Sequence, residues 1–258
     1  MEIPVIIAAR NEAEHLGLTL GVLSKQVSEV DPIVIVNGST DKTADIAKAN
    51  GATVLESTEG KMPAIQEGLR HLGKRALGPL LILDADSRPF SNKWSGKMSN
   101  ELHVLPEQRP AMVWGPYVFQ GEINPVLGAL FTATSMRVSW ADRRADRPRT
   151  IRGGNTGLYM KEDELLEEML ALENYWPRED VAIFDTMKGH EANHKVVMSP
   201  RAWVLTSGFR TMDTIRKIVK DRKHPSKVMD DSYSRDAPNG SIPYHSLTTD
   251  TAVHDKPS

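Results

Sequence analysis

An α/β fold with a mostly parallel sheet flanked by helices is predicted by three observations. Short apolar runs recur at Pro4–Ala9, Pro32–Val36, Thr53–Leu55 and at the head of Pro79–Pro89. Between them, apolar residues repeat at helical rather than strand spacing. The joining segments carry the Gly, Asn, Asp and Ser residues that strand-to-helix turns need. Strands alternating with helices in this way pair in parallel through right-handed crossovers, the doubly wound arrangement.

The elements follow in order. Pro4–Ala9 is the first strand, and Asn11–Lys25 a helix with Leu16, Leu20 and Leu23 on one face. After the strand Pro32–Val36, the turn N-G-S-T-D-K-T caps a helix over Asp41–Asn50, which Gly51 stops. Thr53–Leu55 is a short strand, and Ile65–Leu72 a helix entered through G-K-M-P. The run P-L-L-I-L-D-A-D-S-R-P, Pro79 to Pro89, closes this nucleotide-binding half, expected over 1–110. An acceptor-binding, catalytic half of the same domain is expected over 111–210, as a smaller subregion. It holds a strand Ala111–Phe119, helices over Val126–Trp140, Lys161–Leu172 and Asp180–His190, an R-G-G-N loop or strand at Ile151–Met160, and a strand Lys195–Met198. Residues 211–258 are expected to form a basic helix, Met212–Lys223, and a polar tail that is mobile or orders on binding.

A chain of 258 residues can bury one sizeable core. Its net charge of −2 gives no overall preference for nucleic acid or an anionic surface, although six arginines crowd positions 137–152. Without cysteine there is no disulfide framework and no thiol chemistry. The apolar start lacks a basic leader and cleavage site, and no apolar run approaches the ~18 residues of a membrane span. A cytoplasmic location without a transmembrane segment is therefore expected.

Asp84 and Asp86 leave the end of an apolar strand on one side, because side chains alternate along an extended segment. Two carboxylates there suit a hard divalent cation, Mg²⁺ or Mn²⁺, that carries phosphate oxygens. The same pair also suits a turn that caps the next helix.

The ordered series V-I-I-A-A-R-N-E, I-V-N-G-S-T-D-K-T, G-K-M-P-A-I-Q-E-G-L, L-D-A-D, R-G-G-N-T-G, R-E-D and V-L-T-S-G-F-R resembles the family 2 inverting glycosyltransferases of the GT-A (Rossmann-like) fold. The resemblance spans roughly residues 3 to 210 and implies a sugar donor linked to UDP or GDP, Mn²⁺ or Mg²⁺ as cofactor, and a hydroxyl acceptor. Ala8, Ala9, Arg10 and Glu12 would line the nucleoside pocket. Asn37, Gly38, Ser39 and Asp41 would sit under the nucleotide, at a turn and helix terminus that favour anions. Where many members carry an aspartate pair that reads uracil, this chain has Val36 and Asn37, so the resemblance does not assign the base. Lys61 would approach the diphosphate. Asp86 would be the direct metal ligand, with Asp84 holding ribose or a metal-bound water and Ala85 between them. Gly153, Gly154 and Asn155 match the acceptor-side loop, where missing side chains allow close approach. Glu179 and Asp180 match the acidic pair whose aspartate is the general base, with Glu179 beside the acceptor. Thr206, Ser207 and Arg210 match an element near the diphosphate, where Arg210 would pair with phosphate. Trp176 either stacks on a sugar or packs in the core.

Rival readings are a nucleotidyltransferase of related fold, a non-catalytic nucleotide-sugar-binding module, and a zinc protease through His190, Glu191 and His194 of H-E-A-N-H. A nucleotidyltransferase wants a glycine-rich, basic first loop, and A-A-R-N-E supplies only Arg10. A binding module would tolerate loss of Asp86 and Asp180, yet both are present. For zinc, K-V-V-M follows H-E-A-N-H at once, where a long helix would be needed. In some family members a C-terminal histidine completes the metal shell, for which His190, His194 and His224 are candidates. Among acceptors, a phosphorylated molecule, a lipid diphosphate and nucleic acid with a hydroxylated base stay open.

Overall fold

Apolar residues at every position, rather than every second one, bury a strand on both faces, and this places the first strand in mid-sheet. The structure, a computed structural model, describes residues 2–104, 109–120, 125–145, 154–173, 175–176, 179–207 and 242–243. Strand β1 (Ile3–Ala9) pairs in parallel with β2 (Val30–Val36) on one side and β4 (Pro79–Leu83) on the other, and β3 (Thr53–Glu56) lies outside β2. The sheet continues from β4 through β8 (Asn155–Tyr159) and β6 (Ala111–Trp114) to β10 (Asn193–Val196), giving seven strands in the order β10-β6-β8-β4-β1-β2-β3. Only β8 runs against its neighbours, wedged antiparallel between β4 and β6. The predicted mostly parallel sheet is therefore present.

Alternation along the strands divides the core in two. Ile6, Ile33, Ile35, Leu80 and Ile82 face α3 (Lys61–Leu72), α6 (Asp163–Ala171) and α7 (Glu179–Gly189). Val5, Ile7, Val34, Leu81 and Leu83 face α1 (Leu16–Leu23), α2 (Thr43–Ala49) and α4 (Trp94–Val104). The strand predicted over Ala111–Phe119 is two strands. At Gly115 a Cβ would lie 2.2 Å from the Ala202 carbonyl, and Pro116 has no N–H to give a ladder. The chain turns there, and β7 (Tyr117–Gln120) joins a small second sheet with β5 (Arg88–Pro89) and β11 (Val204–Ser207). The long α5 (Pro125–Asp142) packs on β7, where Ser135 Oγ and Thr132 Oγ1 accept the N–H groups of Tyr117 and Phe119. Two short strands, β9 (Tyr175–Trp176) and β12 (Ile242–Pro243), pair in parallel. Helix α4 was not expected from the sequence. The helix expected at Asn11 begins only at Leu16, because Asn11 takes a left-handed turn with φ of 53°. No helix among the described residues is long and apolar enough to cross a membrane.

Candidate functional site

In an open parallel sheet, ligands bind beyond the carboxyl ends of the strands. The loops after β1 and β2 meet there and are stapled together. Asn11 tolerates its left-handed backbone better than most residues, and its Oδ1 accepts the Thr40 N–H at 2.8 Å while its own N–H reaches Ser39 Oγ at 3.0 Å. Thr43 Oγ1 accepts the Glu12 N–H at 2.9 Å, and Asp41 takes the N–H groups of Ala13 and Thr43 and the Thr43 hydroxyl. Burial alone would raise the Asp41 pKa, but these donors hold it below the usual carboxylate value. Asp41 and Ser39 thus brace both loops. Ala9 is buried, Ala8 packs against the core, and Arg10 pairs with Glu59 at the surface, which occupies the one cation a triphosphate reading would need. Asn37 is buried, its amide donating to the Gly60 carbonyl at 3.1 Å, while its Oδ1 has no partner.

Beyond β4 the chain does not stay extended. The Asp84 N–H bonds the Gly154 carbonyl, then the Ser87 N–H returns to the Asp84 carbonyl at 2.9 Å and closes a turn. This turn, rather than strand alternation, sets where the two aspartates point. Ala85 packs inward into the core and its carbonyl accepts the Thr19 hydroxyl at 2.8 Å, so its side chain does not line the site. Asp84 Oδ1 lies 2.5 Å from Lys61 Nζ, and Asp84 Oδ2 accepts the Tyr117 hydroxyl at 3.4 Å. Tyr117 in turn receives the Gly154 N–H at 3.0 Å. A Cβ at Gly154 would stand 1.7 Å from Asp84 Oδ2, so only glycine permits this approach. Asp86 has separate company: Ser207 Oγ donates to its Oδ2 at 2.7 Å, and the Ser87 hydroxyl is 3.5 Å from Oδ1.

Lys61 opens α3 and also faces Glu179 Oε1 at 3.9 Å. Burial alone would lower its pKa, but Asp84, Glu179 and Asp180 raise it well above the ordinary lysine value, so the ammonium stays charged. Glu179 opens α7 and is buried, with no partner for Oε2. Burial pushes its pKa up to about 7 against the pull of Lys61, and Asp180 pushes it further in the same direction. Asp180, half-buried, accepts the Val181 N–H at 2.9 Å.

Asn155 departs from its expected place beside an acceptor. It is fully buried, donating to the Ala202 carbonyl at 2.8 Å and accepting from Trp94 Nε1 at 2.9 Å, so its side chain braces the fold behind Gly154. Gly153, Arg210, His224 and the predicted basic helix lie outside the described residues, as does the Trp176 side chain. The zinc reading fails on geometry. Helix α7 ends at Gly189, Glu191 takes a left-handed φ of 55°, and His194 lies in β10 stacked on Trp114, while His190 faces Glu162 and Glu168. Sequence reasoning missed Tyr117 and Trp94, whose polar atoms hold Asp84 and Asn155; no local motif marks either.

The donor set fits a divalent cation on Asp86 better than on Asp84. Asp84 already faces an ammonium, whereas Asp86 is bonded by neutral hydroxyls. No group of three or more His, Asp or Glu that could hold a metal occurs among the described residues. Phosphate oxygens or water would then complete the shell.

Residues 5–108 match the family model Glycosyl transferase family 2. That match covers less than half of the chain. The chain is 38% identical over 89 residues to the 4,4′-diaponeurosporenoate glycosyltransferase of Staphylococcus aureus. The match covers 32% of the chain and 23% of the relative, so the chain spans about a quarter of that protein's length. Among solved structures, S. aureus TarS residues 1–349 with UDP is similar at a TM-score of 0.55 and 16% identity, over 80% of this chain and 60% of that one. Glucosyl-3-phosphoglycerate synthase of Mycobacterium tuberculosis, solved with Mn²⁺, UDP and phosphoglyceric acid, is similar at 0.52 and 17%, over 84% and 76%. The fold is GT-A.

Proposed function

We propose that the chain transfers a sugar from a nucleoside diphosphate sugar to a hydroxyl acceptor, inverting the anomeric carbon. The observation that carries this is the cluster of Lys61, Asp84 and Glu179, with Asp180 beside it, at the carboxyl ends of the strands. The match of residues 5–108 to the Glycosyl transferase family 2 model and the likeness to two structures solved with UDP support it.

Asp180 takes the proton of the acceptor hydroxyl as its oxygen attacks the anomeric carbon. The bond from that carbon to the diphosphate breaks on the opposite face, and its electron pair leaves with the diphosphate. Lys61, held charged between Asp84 and Glu179, offsets the charge gathering there. Mn²⁺ or Mg²⁺ on Asp86 would neutralise the same leaving group. Asp84, fixed by its turn and by Lys61 and Tyr117, holds ribose. UDP is the first base to try, because both solved relatives carry it, and the unpartnered Asn37 Oδ1 can accept an N–H from a base. A GDP-sugar is the alternative donor.

Thermal shift with UDP-, GDP- and dTDP-sugars, each with and without Mn²⁺, tests the donor. A metal-dependent rise with one nucleotide sugar is expected. A rise with nucleoside triphosphates alone would overturn the reading in favour of nucleotidyl transfer.

A further inference from the structure

Helix α5 is built inside out. The residues it buries are Gly128, Ser135, Ser139 and Asp142, whereas Val126, Leu130 and Trp140 stand 68%, 56% and 57% exposed. At about 100° per residue, Val126, Leu130, Ala133, Arg137 and Trp140 fall on the face opposite the buried one. Water favours the reverse arrangement. Two hydroxyls of the inner face, those of Ser135 and Thr132, bond the backbone of β7, while the apolar residues stand outside.

With Asp142 buried, the exposed charges on and just past this helix are of one sign. Arg137, Arg143 and Arg144 are exposed on or just past it, with the Arg143 guanidinium 4.3 Å from the centre of the Trp140 ring. The sequence continues with Arg147, Arg149 and Arg152, so six arginines stand against two aspartates between 137 and 152 in a chain of net charge −2. We infer that the outer face of α5 seats the protein on an anionic lipid surface. A protein partner or a second copy would be served by the apolar residues alone. The combination of aliphatic side chains, an exposed tryptophan and an arginine fringe is what an acyl and anionic headgroup boundary recognises. The inner face of α5 rests on β7, which carries Tyr117. A docked bilayer would thus lie roughly one helix diameter, about 10 Å, from that strand.

The test is flotation of the full chain with vesicles of phosphatidylcholine alone or mixed equally with phosphatidylglycerol. Binding is expected only to the mixed vesicles, and it should weaken as salt rises. Leu130→Glu with Trp140→Ser should remove it. Arg143→Gln with Arg144→Gln should weaken it on the order of five-fold per arginine, and both variants should keep the wild-type melting temperature. The Arg pair is the check should the apolar variant misfold. Donor-induced thermal shifts should be the same in all three proteins, which keeps this inference separable from glycosyl transfer. Wild-type protein that does not float, or variants that float like it, would overturn the inference. So would a dimer in light scattering that the apolar variant dissociates.

Discussion

Lys61 Nζ lies 2.5 Å from Asp84 Oδ1, although 23 positions separate them, and this pair joins the first turn of α3 to the end of β4. The lysine therefore occupies the side of Asp84 that a metal would otherwise take. In the proposed division of labour, Asp84 works through this ammonium and Asp86 would hold the metal.

If Asp86 is the metal ligand, Asp86→Ala should abolish the Mn²⁺-dependent part of donor binding while leaving the melting temperature within a degree or two. Calorimetric titration of the nucleotide sugar with and without Mn²⁺ reads this directly. Unchanged metal dependence would move the ligand role elsewhere.

Asp180→Asn should lower kcat by about 10²–10⁴ with little change in donor affinity. An asparagine keeps the shape but cannot take the proton. Retained turnover would remove Asp180 from the role of base.

Glu179 gives a pH prediction with a definite sign. Its folded pKa of about 7 lies above its ordinary 4.5, so between these values the native state holds a proton that the unfolded chain has lost. The stabilisation from the protonated acid is complete below pH 4.5 and lost as the pH rises to 7, on the order of 3 kcal/mol at most. Glu179→Gln, which cannot ionise, should flatten the fall in melting temperature between pH 5 and about 7.5. A parallel pH profile for the two proteins would show that Glu179 is already ionised in the fold.

Asn155→Ala should cost about 2–4 kcal/mol in denaturant unfolding, because it strands the Trp94 N–H and the Ala202 carbonyl together. The acceptor KM should move far less than stability. The reverse result would restore Asn155 to the acceptor.

Gly154→Ala should disable transfer by displacing Asp84, since the new methyl carbon would stand 1.7 Å from its Oδ2. Loss of donor binding with a retained fold, followed by circular dichroism, is the expected pair of outcomes.

The strands and the acidic motifs were legible because each is a local pattern. Ile3–Ala9 and Pro79–Leu83 announce themselves as unbroken apolar runs, and L-D-A-D and R-E-D hold chemistry within four letters. What failed depended on partners distant in sequence. Trp94, Met98 and Leu102 are three apolar positions among polar ones, too sparse to announce α4 until the second core cluster covers them. Asn155 looked like a site residue, yet the buried indole of Trp94 and the Ala202 carbonyl claim both ends of its amide. In α5 the apolar residues were visible, but periodicity does not tell which face turns inward when hydroxyls are what the neighbouring strand needs.

The antiparallel wedge of β8 has a consequence for synthesis. Through Leu83↔Asn155 and Trp114↔Thr156 it closes the gap between β4 and β6, so neither strand gains its full complement of neighbours until residue 159 has left the ribosome. Until then β4 waits as an open, wholly apolar edge, ready to pair with any passing strand. The segment recognisable as family 2, residues 5–108, is thus no free-standing module. Cut out alone it should aggregate, and a nascent chain stalled short of β8 is one that chaperones must shelter.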